Sequence, residues 1–424
     1  MTRFLFAALV LVSAPVALAQ SPRPVPGGAG ASVPVLHEGR VVFAAPGSGG
    51  ASRLVRLDPA TGRTTETPLP GFGTPHTWDV YTLAGTLYAG AMSEEYERTP
   101  WQAVDAAGRL SPVPEPLASM NVFDLSYVVD DGARALGVEN PEDDDSPAGR
   151  LVAFAPGGAA TPLEPLPAPV ERNVSLPTAL GDAVYYVVQT LRENGTNSGE
   201  YIHAVWRTAG GTAAPLDVLP PGVATHNTGL VAVGGALLIS TIDRTVDAEY
   251  ASRLWRLAPG AARATPVAGV SAATDLSQEY LRGFGDTVLF TMSDDEMRVR
   301  LWRVSGTSAP VQVGGLDLGH AKTFFTETVR VFDGAVYVWG FSAGADGAPT
   351  RLYRVDPAAG AAREVARYRG SGFPRVSNLG DRFVVAGGRV YFVLAGETDD
   401  GTLVSLPVDT AAPAAPRRST RRRR

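Results

Sequence analysis

The chain has no cysteine. That excludes disulfides, thiolate metal centres and a cysteine-borne lipid anchor, so 424 residues must be held together by their apolar core alone. Lysine is almost as scarce. Lys322 stands against 36 arginines, a bias that reads as the compositional mark of a GC-rich genome. Positive charge is in short supply as well. The net charge is −6, and setting aside Arg3 and the six arginines among the last eight residues takes the body to −13. Nucleic acid is therefore not an expected partner, because phosphate binding needs a basic surface. No run is long enough to span a bilayer. The one extended apolar run, Phe4 to Ala19, follows Arg3, is interrupted by Pro15 and ends in Ala17-Leu18-Ala19. That small-x-small ending predicts a leader over residues 1–19 cleaved before Gln20, hence an exported protein that is periplasmic, cell-surface or secreted.

What the chain does hold is glycine and proline, 47 and 34 residues, and a phrase that recurs. In Arg300-Leu301-Trp302-Arg303-Val304, apolar and long polar residues alternate with the period of a half-buried strand, and Ser305-Gly306-Thr307 reads as a turn. Taking the place of Leu301, equivalents fall at Leu54, Trp101, Leu151, Val205, Leu254, Leu352 and Leu403, spaced 47 to 54 residues apart. A second phrase, Gly or Asp, one residue, then a β-prone run, keeps the same beat from Gly39-Arg40-Val41 to Gly388-Arg389-Val390. Strand-and-turn units of about 50 residues are propeller blades, so the expected fold is all-β: a β-propeller of four-stranded antiparallel blades, eight preferred over seven.

Residues 20–32 are rich in Pro and Gly and read as a linker, residues 33–410 as the propeller, and residues 411–424 as a disordered Ala/Pro and Arg-rich tail. The last unit lacks a convincing fourth strand. Either residues before Val33 supply it or the ring has fewer blades than units.

The phrases at Arg300 to Thr307 and at Val205-Trp206-Arg207-Thr208-Ala209-Gly210-Gly211-Thr212 resemble the hyalin-type Glu-Leu-Trp-x-x-Asp-Gly-Thr repeats of bacterial exported β-propeller proteins. Arg replaces the leading Glu in most units, and Ser305-Gly306 stands where Asp-Gly is expected. The resemblance implies a secreted propeller, often a surface or adhesion module without assigned catalysis, in which Trp206, Trp255, Trp302 and Tyr353 pack between blades. No binding residue carries over, because that motif is structural.

Blade geometry places the turns between first and second strands, and between third and fourth, on one face. Here both sets are minimal. The second-to-third loops are long and acidic, as in Glu139 to Asp145 and Glu193 to Glu200, and share the opposite face with the crossings between blades. Loops on a rigid scaffold are where binding residues are presented. The crossings bring His76, Asn121, Asn173, His226, Gln278, His320 and Ser377 towards the channel mouth. These read either as ligands for a metal or polar molecule, or as loop residues bonding the backbone, the latter being the commoner case. The acidic loops could hold Ca²⁺ through oxygen ligands, although none has EF-hand order, and otherwise no cofactor is expected. Gly340-Phe341-Ser342-Ala343-Gly344 matches a nucleophile elbow in letters, but Ala345-Asp346-Gly347-Ala348-Pro349 cannot supply the helix it needs.

The expected function is a monomeric, non-catalytic binding or scaffold module for an extracytoplasmic protein or carbohydrate. The alternative is a propeller enzyme, a hydrolase or lyase on sugars or lactones, using channel-mouth His and loop acids.

Overall fold

The computed structural model describes residues 21–409 except 49–51, 70–76, 93–99, 116, 119–128, 131–134, 140–149, 158, 166–171, 174–176, 193–199, 210–211, 220–224, 246–248, 271–274, 294–298, 307, 317–328, 341–349, 369–372, 375–382 and 396–400. The expected leader (1–19) and the tail (411–424) lie outside the described residues.

The described chain is built from strands β1 to β34, arranged in eight antiparallel sheets. The first strand, β1 (Arg23–Ala29), belongs to the last sheet. Blade 1 is β2 (Val35–His37), β3 (Arg40–Pro46), β4 (Ser52–Leu57) and β5 (Thr64–Leu69). Blade 2 is β6 (Thr77–Leu83), β7 (Thr86–Met92), β8 (Gln102–Val104) and β9 (Leu110–Pro112). Blade 3 is β10 (Val129–Asp130), β11 (Ala135–Glu139), β12 (Arg150–Phe154) and β13 (Ala160–Pro165). In blade 4 a split inner strand, β14 (Arg172–Asn173) and β15 (Thr178–Leu180), precedes β16 (Ala183–Arg192), β17 (Glu200–Ala209) and β18 (Thr212–Pro215).

Blade 5 is β19 (Thr225–Val233), β20 (Ala236–Thr245), β21 (Glu249–Leu257) and β22 (Thr265–Pro266). Blade 6 is β23 (Asp275–Phe284), β24 (Thr287–Ser293), β25 (Val299–Ser305) and β26 (Val311–Gln312). Blade 7 is β27 (Val329–Phe332), β28 (Ala335–Gly340), β29 (Thr350–Asp356) and β30 (Ala361–Tyr368). Blade 8 again splits its inner strand, into β31 (Phe373–Pro374) and β32 (Phe383–Ala386), followed by β33 (Arg389–Ala395) and β34 (Thr402–Pro407), with β1 paired outside β34.

The expected eight blades are therefore present, and β1 is the missing fourth strand of the last one. This corrects the reading of residues 20–32 as a linker. Arg23–Ala29 is an edge strand, with Val25 and Gly28 buried, and Ala31 and Ser32 buried just beyond it. Pro24 and Pro26 disguise it, because a proline cannot donate to a ladder and is tolerated only where one strand edge is free.

Eight hydrophobic clusters hold the ring, and each joins one blade to the next: Val42 and Leu54 meet Leu87 and Ala89 between blades 1 and 2, and so on round to Phe43 and Val55 meeting Tyr391 and Leu403 between blades 8 and 1. The recurring phrase explains how one strand serves two interfaces. Along the third strand successive side chains point to opposite sheet faces. Leu254, Leu301 and Leu352 accordingly pack on the following blade, while Trp255, Trp302 and Tyr353 pack on the preceding one, with Trp206 doing likewise between blades 3 and 4. The seam between blades 7 and 8 is the most aromatic, with Trp339 4.9 Å from Phe392 and 5.6 Å from Phe383 between ring centroids.

The arginine two places after Leu54, Leu254 and Leu301 shares that residue's face, and it reaches forward. Arg56 donates to the Asp105 carbonyl at 2.9 Å, Arg256 to the Gly306 carbonyl, and Arg303 to the Pro357 and Ala358 carbonyls at 3.1 and 2.5 Å. Each acceptor lies in the turn between third and fourth strands of the next blade. Those turns are pre-shaped: Asp356 Oδ1 accepts from Ala359 N at 2.9 Å, and Gly360 N donates to the Asp356 carbonyl at 2.9 Å. Gly360 has φ +66°, and a Cβ there would overlap the Arg303 guanidinium. The abundance of arginine thus has a structural use at these positions that composition alone hid.

Arg303→Ala removes both bonds, which Nη1 donates, and should lower stability by about 1 to 2 kcal/mol in chemical denaturation. A second test concerns Trp255, whose buried Nε1 donates to Thr241 Oγ1 at 2.9 Å. Thr241→Val preserves shape and orphans that donor, so a loss of about 1 to 3 kcal/mol is expected by the same measurement.

Candidate functional site

The two faces of the ring differ as expected. On one, the turns joining first and second strands are two residues long with positive φ at both central positions in Glu38-Gly39, Ala84-Gly85, Gly234-Gly235, Asp333-Gly334 and Gly387-Gly388. That is the type I′ geometry, whose twist matches the flanking strands. On the opposite face, blades 4 and 5 are raised. β16, β17 and β20 run ten residues and β21 nine, whereas β28 and β34 run six and β11 and β12 five.

The innermost strands of blades 4, 5, 6 and 8 shift register; in blade 8 the shift lies between the pairs Phe373 to Ala395 and Phe383 to Phe392, and the other three blades are consecutive. In blade 4 Arg172 pairs with Gln189 and Asn173 with Val188, whereas Thr178 pairs with Tyr185 in a shifted register. In blade 5 a bulge lies between the pairs Thr225 to Asp243 and Thr228 to Thr241, and His226 sits inside it. In blade 6 the register shifts between the pairs Ser277 to Thr291 and Arg282 to Leu289, and Gln278 sits inside that interval. By contrast β6 and β27 pair without interruption. Bulges bend a strand, re-aim side chains and are enriched beside functional sites.

Three of the expected residues have described backbone positions. Asn173, His226 and Gln278 do not lie on crossings as the sequence suggests. They lie on inner strands, each at an irregularity, at the raised side of the channel. His76, Asn121, His320 and Ser377 lie outside the described residues, as do most of the acidic loops and Phe341 to Pro349. Among the described residues no group of three His, Asp or Glu side chains is placed to hold a metal ion.

Two histidines escaped the sequence reading, His37 and His203, the second of which lies on β17. His37 ends the innermost strand of blade 1 at the plain face, half-buried beside Glu38 and Arg56. Its pKa is lowered from 6.5, first by burial and also by the Arg56 charge, against the opposing pull of Glu38. Its only signal in the sequence is its place next to the turn Glu38-Gly39.

No protein-family model matches the chain, and no curated protein matches it significantly. Solved structures do. One of two prolyl endopeptidases studied for inter-domain dynamics in catalysis and specificity matches with TM-score 0.52 and 11% identity, over 91% of this chain and 55% of that one. The β-propeller domain of the Trilobed protease from Pyrococcus furiosus, described as having an open velcro topology, matches with TM-score 0.45 and 10% identity over 79% and 95%. An acylaminoacyl peptidase solved with a chloromethyl ketone matches with TM-score 0.44 and 12% identity over 87% and 58%.

This chain therefore has the fold of a β-propeller like that in a prolyl endopeptidase, and it spans about half the length of that enzyme. This likeness corrects the expectation of a non-catalytic binding or scaffold module, because the solved chain of like fold is a prolyl endopeptidase; at 11% identity it shows the fold alone.

His37 yields a pH prediction. A folded-state pKa below the unfolded value means the unfolded chain binds more protons as pH falls, so the contribution of neutral His37 is complete above about pH 6.5 and is lost below it. The melting temperature of the wild type should fall from pH 7 towards pH 5, and His37→Gln should flatten that slope.

Proposed function

We propose that this chain is a peptidase-related propeller, acting outside the cytoplasm, whose raised channel mouth receives peptides for hydrolysis. The observation that carries the reading is the run of irregular inner strands in blades 4, 5 and 6, with Asn173, His226 and Gln278 at the irregularities. The residue types at these three backbone positions, an amide, an imidazole and a second amide, are ones that can donate to and accept from the main chain of a peptide. The likeness in fold to a prolyl endopeptidase supports peptides over sugars as the substrate class. Export is supported by the leader-like run Phe4 to Ala19.

The test is direct. Proline-containing fluorogenic peptides are titrated against the purified chain, with binding followed by anisotropy and turnover by fluorescence. Saturable binding is expected, and His226→Ala and Gln278→Ala should each weaken it about fivefold, the value of one net hydrogen bond. An absence of binding to all such peptides defeats the reading.

A further inference from the structure

The closing strand is unlike any other in the ring. β1 has the sequence Arg23-Pro24-Val25-Pro26-Gly27-Gly28-Ala29, in which two residues lack an amide donor and two lack a side chain. Its pairing with β34 is sparse: Arg23 lies opposite Ser405, Pro24 opposite Val404 and Ala29 opposite Thr402, with a register shift between Pro24 and Ala29. Only Val25 and Gly28 are buried, and Arg23, Pro24, Pro26 and Ala29 are exposed. One aliphatic side chain and a broken ladder must hold seven residues in place.

The residues that follow are held quite differently. Ala31 is fully buried, Ser32 N donates to the Ala44 carbonyl at 2.8 Å, and Ala44 N donates to Ser32 Oγ at 2.9 Å. Gly30, with φ +63°, separates the loosely held strand from the firmly held anchor. The ring does not need β1 to stay closed. In the cluster between blades 8 and 1, every member except Val25 and Ala31 lies on β3, β4, β32, β33 or β34. Release of β1 therefore leaves the ring folded and bares the outer edge of β34, and a bare strand edge is a template for another strand.

We propose that β1 is an exchangeable strand and the edge of β34 its acceptor, so that two copies of this chain swap Arg23–Ala29 and complete one another's eighth blade. The contacts remade in the pair are those of the single copy, which is why exchange of an identical element is a low-cost route to a dimer. The strand lies at the outer rim, where a second copy can approach. The acceptor also states what it selects: an aliphatic residue in the place of Val25 and glycine three places on, since a Cβ at Gly28 would come 2.9 Å from Leu403 Cβ.

The absence of cysteine makes the test clean. Ala29 and Thr402 are partners across the β1 to β34 pair and neither is buried, so Ala29→Cys with Thr402→Cys creates one cross-link that reports the pairing. The double variant is incubated over a range of concentrations under reducing conditions, oxidised, and run on non-reducing gels beside each single variant. The expected result is an intramolecular cross-link in dilute samples and a covalent dimer in concentrated ones, its fraction rising about tenfold per tenfold concentration while dimer is the minor form. The single variants should lack the 29-to-402 dimer. An intramolecular cross-link at every concentration overturns the proposal. If the double variant does not fold, sedimentation of the unmodified chain decides, and a monomer at every concentration overturns it equally.

Discussion

A four-stranded blade has two apolar faces and no way to bury either by itself. Everything in this molecule follows from that constraint. Each sheet must lie between two others, and a row of such sheets ends in two exposed faces unless it closes on itself. Closure here joins strands from opposite ends of the chain, β1 and β34, and a cluster containing Phe43, Val55, Tyr391 and Leu403 forms the last interface. The third strand carries the constraint in its sequence. Leu faces forward, Trp or Tyr faces back, and the next Arg reaches forward to tie down a turn of the following blade. Three consecutive residues thus encode both neighbours of a blade.

This is why the architecture was legible and the activity was not. The repeated phrase sits where burial is greatest, so it survives in most units and can be counted by eye. The resemblance to hyalin-type repeats implied the placement of Trp255, Trp302 and Tyr353 between blades. The second arginine could not be placed, because a half-exposed Arg in a chain with 36 of them looks like composition. Its role depends on a carbonyl that is about 50 residues away along the chain, and no local pattern reports such a partner. The edge strand β1 was hidden for the opposite reason. Proline and glycine mark linkers in most settings, and only the free edge of a closing blade makes a strand of Pro24, Pro26, Gly27 and Gly28 tolerable.

The candidate site was half legible. Polar residues near repeat boundaries drew notice to Asn173, His226 and Gln278, but on the expectation that they lie on crossings. They lie on inner strands whose register slips. A slip is a property of two strands together, and the residues that reveal it, Thr225 opposite Asp243 and Thr228 opposite Thr241, carry no motif. Periodicity names the strands and cannot say where their pairing fails.

The positions of these failures deserve a physical reading. A ring of near-identical sheets is symmetric, and a symmetric channel presents the same groups in every direction, which suits no asymmetric ligand. Discrimination requires that some blades depart from the repeat. Here blades 4 and 5 carry the longest hairpins, and blades 4, 5, 6 and 8 carry irregular inner strands, whereas β6 and β27 keep an unbroken register. Among the described residues the opposite face keeps tight turns, some of them tied down by guanidinium groups from blades 1, 5 and 6. Rigidity on one face and irregularity on the other divide the work between holding the ring and shaping its mouth.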